Sequence, residues 1–275
     1  MMQQIRAVEG HENSLLPAGK RWKLVWNDEF DGTALDSSKW NFRLHFWGNR
    51  FPAFTDEGVE LDGNSHMKIN LIRRPDGSYC SAQLQTGGIV YDIPKENPQS
   101  FWPFGAYKEM KFLHKFGYYE IRCRLNKQFG WWVAFWLQSP SIGAHPDPRR
   151  AGIECDIMES QEYAQDKTIR CGNIWNGYGK NCKGSGHKHP IIEDTPDGWH
   201  LFGVDWSKDG YVFYADGKEV NRVDSPVSET EQFILVTTEP MGYRDAVNPK
   251  ANPALDTIVL PDCFEVDYVR VFDEI

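Results

Sequence analysis

Turn sequences cut the chain into short extended runs, and no long stretch carries the 3.6-residue period of an amphipathic helix. The runs that read as strands are Trp22–Glu29, His66–Ile72, Tyr79–Thr86, Tyr118–Leu125, Trp132–Leu137, Ile153–Glu159, Ile169–Trp175, His200–Asp205, Tyr211–Ala215, Phe233–Thr238 and Phe264–Phe272. Between them stand Pro75-Asp76-Gly77, Lys208-Asp209-Gly210 and Ala215-Asp216-Gly217, which suit hairpin turns. From Tyr119 to Leu125 odd positions are apolar and even positions charged, the mark of a strand with one face on a core and one in water. Such a pattern predicts an all-β fold of two antiparallel sheets. With 275 residues and no linker or repeat, it predicts a single sandwich domain over residues 21–275, preceded by a polar extension over 1–20.

One predicted strand breaks the rule that buried strands are apolar. Glu154-Cys155-Asp156-Ile157-Met158-Glu159 places three carboxylates in six residues. Buried acids are costly unless paired, protonated or bound to something, so the run is a site candidate. Glu154 and Asp156 share a face by alternation, and Glu159 has the wrong parity. A one-residue bulge after Asp156 would bring all three to one surface. Two carboxyl groups about 5–5.5 Å apart suit retaining hydrolysis of a glycosidic bond, one as nucleophile and one as acid/base. Asp156, between them, would donate a hydrogen bond to the nucleophile. Two other readings compete. An ion-pair network lacks any Lys or Arg within the run, and a Ca²⁺ or Mg²⁺ site lacks the Asn- or Gly-rich ligand loop.

Composition narrows the partner. A net charge of −9 argues against nucleic acid, whose binders carry basic patches. No segment resembles a membrane span, and residues 1–20 lack the apolar stretch of a signal peptide. Six cysteines form no C-x-x-C pair, which argues against structural zinc, while Cys171 and Cys182 flank a loop that a disulfide would close in an oxidising compartment. Aromatic residues make up 14% of the chain, 11 of them Trp, enough to serve both a core and flat faces for sugar rings. Trp132 and Trp136, four apart, share a strand face.

Several segments in order resemble glycoside hydrolase family 16. Glu-x-Asp-x-x-Glu is similar to the family signature. Phe116-Gly117-Tyr118-Tyr119-Glu120-Ile121-Arg122 resembles its "GYFEAR" strand, and Trp131–Leu137 its "LWPAFWLL" strand. Trp206–Gly217 resembles its "W-x-x-D-x-I-x-F-Y-V-D-G" hairpin, and Asp267–Val271 its closing strand. The resemblance implies a jelly-roll sandwich with a concave substrate groove. It further implies Glu154 as nucleophile, Glu159 as acid/base, Asp156 between them, and Trp132 and Trp136 as sugar platforms. Phe46-Trp47-Gly48-Asn49 resembles the laminarinase "GWGN" stretch and makes Trp47 and Asn49 substrate-binding candidates, although Phe46 replaces the first Gly. Trp175 and Asn176, after the acidic strand, are further candidates. Many members carry a His about where Ile174 stands, and its absence here is a departure. His187, His189 and His200 read as loop or strand-edge residues without a catalytic part. Many members also hold a structural Ca²⁺, for which Asp267 would be the side-chain ligand; catalysis needs no cofactor.

The expected function is retaining endo-hydrolysis of a β-linked polysaccharide, a β-1,3- or mixed β-1,3-1,4-glucan, by a monomer that is secreted, periplasmic or at the cell surface. A galactan hydrolase of the agarase, porphyranase or carrageenase type and a transglycosylase share the same acids, whereas a non-catalytic glycan-binding module on the same sandwich would be expected to have lost one of the three carboxylates, all of which are present.

Overall fold

The computed structural model describes residues 4–46, 49–87, 110–244 and 251–275, with residues 46 and 49 described by their backbone alone. Two large sheets face each other. The first runs in the order Ile72–Arg73, Tyr79–Gln85, Phe233–Pro240, Trp131–Gln138, Ile153–Glu159, Arg170–Trp175, Lys183–Gly184. The second runs Lys218–Val223, Gly210–Ala215, His200–Ser207, Gly117–Arg124, Cys263–Glu274, Met67–Asn70, Val59–Leu61, and Trp22–Asp28 also pairs with Cys263–Glu274. Pairing is antiparallel except where Phe54–Thr55 meets Ser81–Ala82. No helix among the described residues is long and apolar enough to cross a membrane.

Alternation decides what each strand buries. Trp131, Val133, Phe135 and Leu137 point into the intersheet core, where they meet Tyr119, Ile121, Val204, Trp206, Val269 and Val271 from the opposite sheet. Trp132, Ala134 and Trp136 point away from that core and form a second apolar cluster with Phe233 and Leu235. The first sheet thus carries apolar surface on both faces, and its outer face is the floor of a groove.

Two expectations need correcting. The even face of the Tyr119–Leu125 run is not wet throughout, because Glu120 is fully buried. What covers it is the stretch read as a polar extension: Gln4–Val8 and His11–Leu16 form an antiparallel hairpin on that outer face. Leu16 of the hairpin packs with Trp22, Tyr118 and Phe272. The expected Cys171–Cys182 disulfide is absent. All six cysteines are free, with Cys171 in the core and Cys182 exposed.

Candidate active site

The acidic strand, Ile153–Glu159, lies between Trp131–Gln138 and Arg170–Trp175. On one side Asp156 pairs with Trp136 and Glu159 with Ala134. Three residues of the tryptophan strand therefore oppose four of the acidic strand. On the other side Asp156 pairs with Gly172 and Glu159 with Arg170. The extra residue is a β-bulge. Ile157 and Met158 are consecutive, apolar and both buried in the intersheet core, which anchors it. With parity restored, Glu154, Asp156 and Glu159 line the same groove.

The three carboxyls cannot all ionise in one buried patch. Burial pushes Glu154 above the usual carboxylate range, opposed chiefly by a hydrogen bond from Tyr178 and then by the charges of Arg43 and Arg244. Burial and then the Glu154 charge push Asp156 well up. Burial and the charges on Asp156 and Glu154 push Glu159 up to about 8. Glu154 also has a hydroxyl donor of its own. The Tyr178 hydroxyl donates to its Oε2 and accepts from Nε2 of Gln138, so the amide directs the hydroxyl proton at the carboxylate. The arrangement makes Glu154 the ionised member and leaves Glu159 protonated at neutral pH.

Trp132 and Trp136 both line the groove, and each carries a guanidinium over its ring. Arg43 stands 5.6 Å from the ring centre of Trp136, and Arg244 5.4 Å from that of Trp132. Trp136 Nε1 donates to Thr237 Oγ1 at 2.9 Å, which fixes the indole plane. Arg244 is clamped by Glu239 through Nε at 2.7 Å and Nη2 at 2.6 Å.

The remaining candidates sit elsewhere. Trp175 pairs with Ile153 and packs against the intersheet core; Ile174, opposite Glu154, lines the groove instead. Parity separates these neighbours. Asn176 occupies the turn after that strand with φ 66° and is not among the described groove residues. Trp47 lies outside the described residues. Asn49 pairs by its backbone with Phe46 in a small hairpin. Asp267 does not fit a Ca²⁺ ligand: its Oδ2 accepts from Arg122 Nη1 at 2.6 Å, so a guanidinium already supplies the positive charge.

Sequence reasoning missed the partners of the acids. Tyr178 stands 24 residues from Glu154. His187 stands 31 residues from Asp156, yet its Nε2 lies 2.8 Å from Asp156 Oδ2. The sequence around Tyr178 and His187 carries no sign of either contact. The one available hint was Gly172, two residues before Ile174, a side-chain gap directly beside an acid.

Residues 80–247 match the family described as glycosyl hydrolases family 16. The chain belongs to that family. It is 25% identical over 279 residues to glucan endo-1,3-beta-glucosidase A1 of Niallia circulans, covering 94% of this chain and 39% of that protein. It is 27% identical over 239 residues to beta-porphyranase B of Zobellia galactanivorans, covering 80% of this chain and 75% of the relative. Among solved structures it resembles the catalytic domain of an endo-1,3-beta-glucanase (laminarinase) from Thermotoga petrophila RKU-1. The TM-score is 0.66 and the identity 25%, with 93% of this chain and 99% of the other covered. The family 16 chain thus spans well under half of the first of these relatives and nearly all of the laminarinase domain.

Proposed function

We propose that this protein is a retaining, endo-acting hydrolase of β-linked polysaccharide, with a β-1,3- or mixed β-1,3-1,4-glucan as substrate. The observation that carries the reading is the bulged strand, which aims three acids into one groove and leaves them in unlike environments. Ionised Glu154 attacks the anomeric carbon while protonated Glu159 gives its proton to the departing glycosidic oxygen. A covalent glycosyl–Glu154 ester results. Glu159, now ionised, takes a proton from water, and the water oxygen displaces Glu154 with net retention. Two carboxyls supply nucleophile and proton, so the reaction calls on no cofactor. The ring faces of Trp132 and Trp136 offer flat apolar surface to pyranose rings in the groove. We assign the enzyme a place of work outside the cytoplasm, where such polymers are met, and action as a monomer, because one chain carries every acid the reaction uses.

A galactan substrate is the second reading. Arg43, Arg170 and Arg244 line the groove, and guanidinium groups suit the sulfate of porphyran or carrageenan. The porphyranase relative supports the same reading.

The test is product release from laminarin, barley β-glucan, lichenan, agarose, porphyran and carrageenan, with wild type and Glu154→Gln side by side. Oligosaccharides from a glucan with wild type alone support the first reading. Turnover of a galactan alone moves the substrate and keeps the mechanism. Binding without turnover by wild type on every polymer sinks the hydrolase reading.

A further inference from the structure

We propose that His187 is a positioning residue for this reaction: it reaches through the gap left by Gly172 and holds the carboxyl of Asp156, keeping the three acids in their working arrangement. The inference rests on the hydrolase reading above for its kinetics and on geometry for its site.

His187 comes from a segment outside the acidic strand and its neighbours. Two backbone clamps deliver it. On one side, Ser185 N donates to Asn173 O at 2.9 Å and Asn173 N donates to Ser185 Oγ at 3.0 Å. On the other, Cys171 and Lys188 exchange backbone hydrogen bonds of 3.1 and 3.0 Å. Between the clamps the ring lies over Gly172, the residue paired with Asp156. A Cβ on Gly172 would stand 3.1 Å from Ser185 Oγ, 3.3 Å from His187 Cα and 3.4 Å from its Cδ2. Ser185 Oγ and the His187 backbone would each have to give by a few tenths of an ångström, so a side chain at 172 crowds the segment that delivers the imidazole.

The contact is placed to matter. Asp156 is 4% exposed, so the imidazole partner replaces water that the carboxyl has lost. One nitrogen of His187 and one oxygen each of Asp156 and Glu159 lie within 4.8 Å of one another. Glu154, Asp156 and Glu159 face the ring from the acidic strand, with Arg170 beside them and Glu239, Arg244 and Arg43 across the groove. Among these, His187 is the group that touches the Asp156 carboxyl directly. Its positive charge lowers the proton affinity of both Glu154 and Glu159, so its loss raises both.

The test compares wild type with His187→Ala, His187→Gln and Gly172→Ala. For His187→Ala we expect kcat to fall by about tenfold or more, the scale of a hydrogen bond to a charged group, with KM changed less than twofold. The alkaline limb of kcat/KM should move to higher pH. His187→Gln, whose amide nitrogen can take the place of Nε2, should recover most of kcat and keep the displaced limb, since Gln carries no charge. Gly172→Ala leaves the imidazole in the chain but crowds it, and should reproduce the loss if His187→Ala fails to fold. ¹³C-carboxyl NMR titration of the triad needs no substrate: Glu159 should titrate higher without the imidazole. Wild-type kcat and an unmoved limb in His187→Ala overturn the proposal. So does a loss that Gln leaves unrelieved while the carboxyl titrations match wild type. A wild type inactive on every polymer sinks the hydrolase reading instead, and the NMR titration then decides the role of His187 alone.

Discussion

At the scale of single residues, the site works by giving chemically similar groups unlike surroundings. Glu154 receives a directed hydroxyl proton from Tyr178, while Glu159 sits among the charges of its two neighbours. The raised proton affinity of Glu159 has a direct consequence. As general acid it must be protonated, so activity is retained through neutral pH and lost as pH rises through about 8. A pH profile of kcat/KM checks this, and Glu159→Gln should lower the plateau by about 10²–10⁴-fold. An alkaline limb near the ordinary carboxylate range would contradict the assignment. The acids were legible in the sequence because ionisable side chains in a strand are unusual. Their partners Tyr178 and His187 were not, because their sequence neighbourhoods look like any polar loop.

At the scale of elements, parity is the controlling variable. A residue's side of a strand depends only on the count along it, so a bulge of one residue moves Glu159 from core to groove. Removing Ile157 would leave a regular strand in which Asp156 and Glu159 are separated by Met158 alone, and all three acids still face the groove. The Ile157 deletion should therefore fold and keep measurable hydrolysis, at a stability cost of about 2–4 kcal/mol for a lost buried side chain. Inserting a second residue after Asp156 should turn Glu159 into the core and abolish turnover. Denaturation curves and product assays on the two variants check this; an inactive deletion beside an active insertion would refute the parity argument. The same rule sent Trp175 to the core and Ile174 to the groove. Sequence spacing could pair Trp132 with Trp136, but it could not tell which face of Arg170–Trp175 would meet substrate.

At the scale of the whole molecule, the amino-terminal hairpin closes the second sheet from outside. Glu120 Oε1 accepts from Leu15 N at 2.9 Å and its Oε2 accepts from Tyr268 Oη at 3.0 Å. Buried Arg270 donates to Glu12 O and Ser14 Oγ, both at 2.8 Å, and forms a two-point pair with Glu29 at 2.9 and 2.7 Å. Burial raises Glu120 to about 7, against hydrogen bonds from Ser14, Leu15 and Tyr268. The folded state therefore holds a proton that the unfolded chain releases from about 4.5 upward. This group's contribution to stability falls as pH rises from about 4.5 to about 7. Removing residues 1–16 should lower Tm by about 5 °C or more, since each kcal/mol is worth roughly 2–4 °C in a chain of this size. It should also flatten that pH dependence, because Glu120 would then meet water. Calorimetry of both chains across this range checks it, and equal Tm values would show the hairpin to be energetically idle.

By itself the sequence determined most of the sandwich strands, the alternation along them, the sandwich and the three acids. Each of these is written locally, in periods of two, in turn residues and in charges that a buried strand does not tolerate without cause. Only the tertiary structure decided what covers Glu120, which guanidinium lies on which tryptophan, that Asp267 answers to Arg122, and that Tyr178 and His187 reach the acids. Those facts depend on segments far apart in the chain being brought together by sheet pairing, and no local pattern encodes such a meeting. Gly172 marks the boundary: the sequence shows a missing side chain, and the fold turns it into the passage through which His187 meets Asp156.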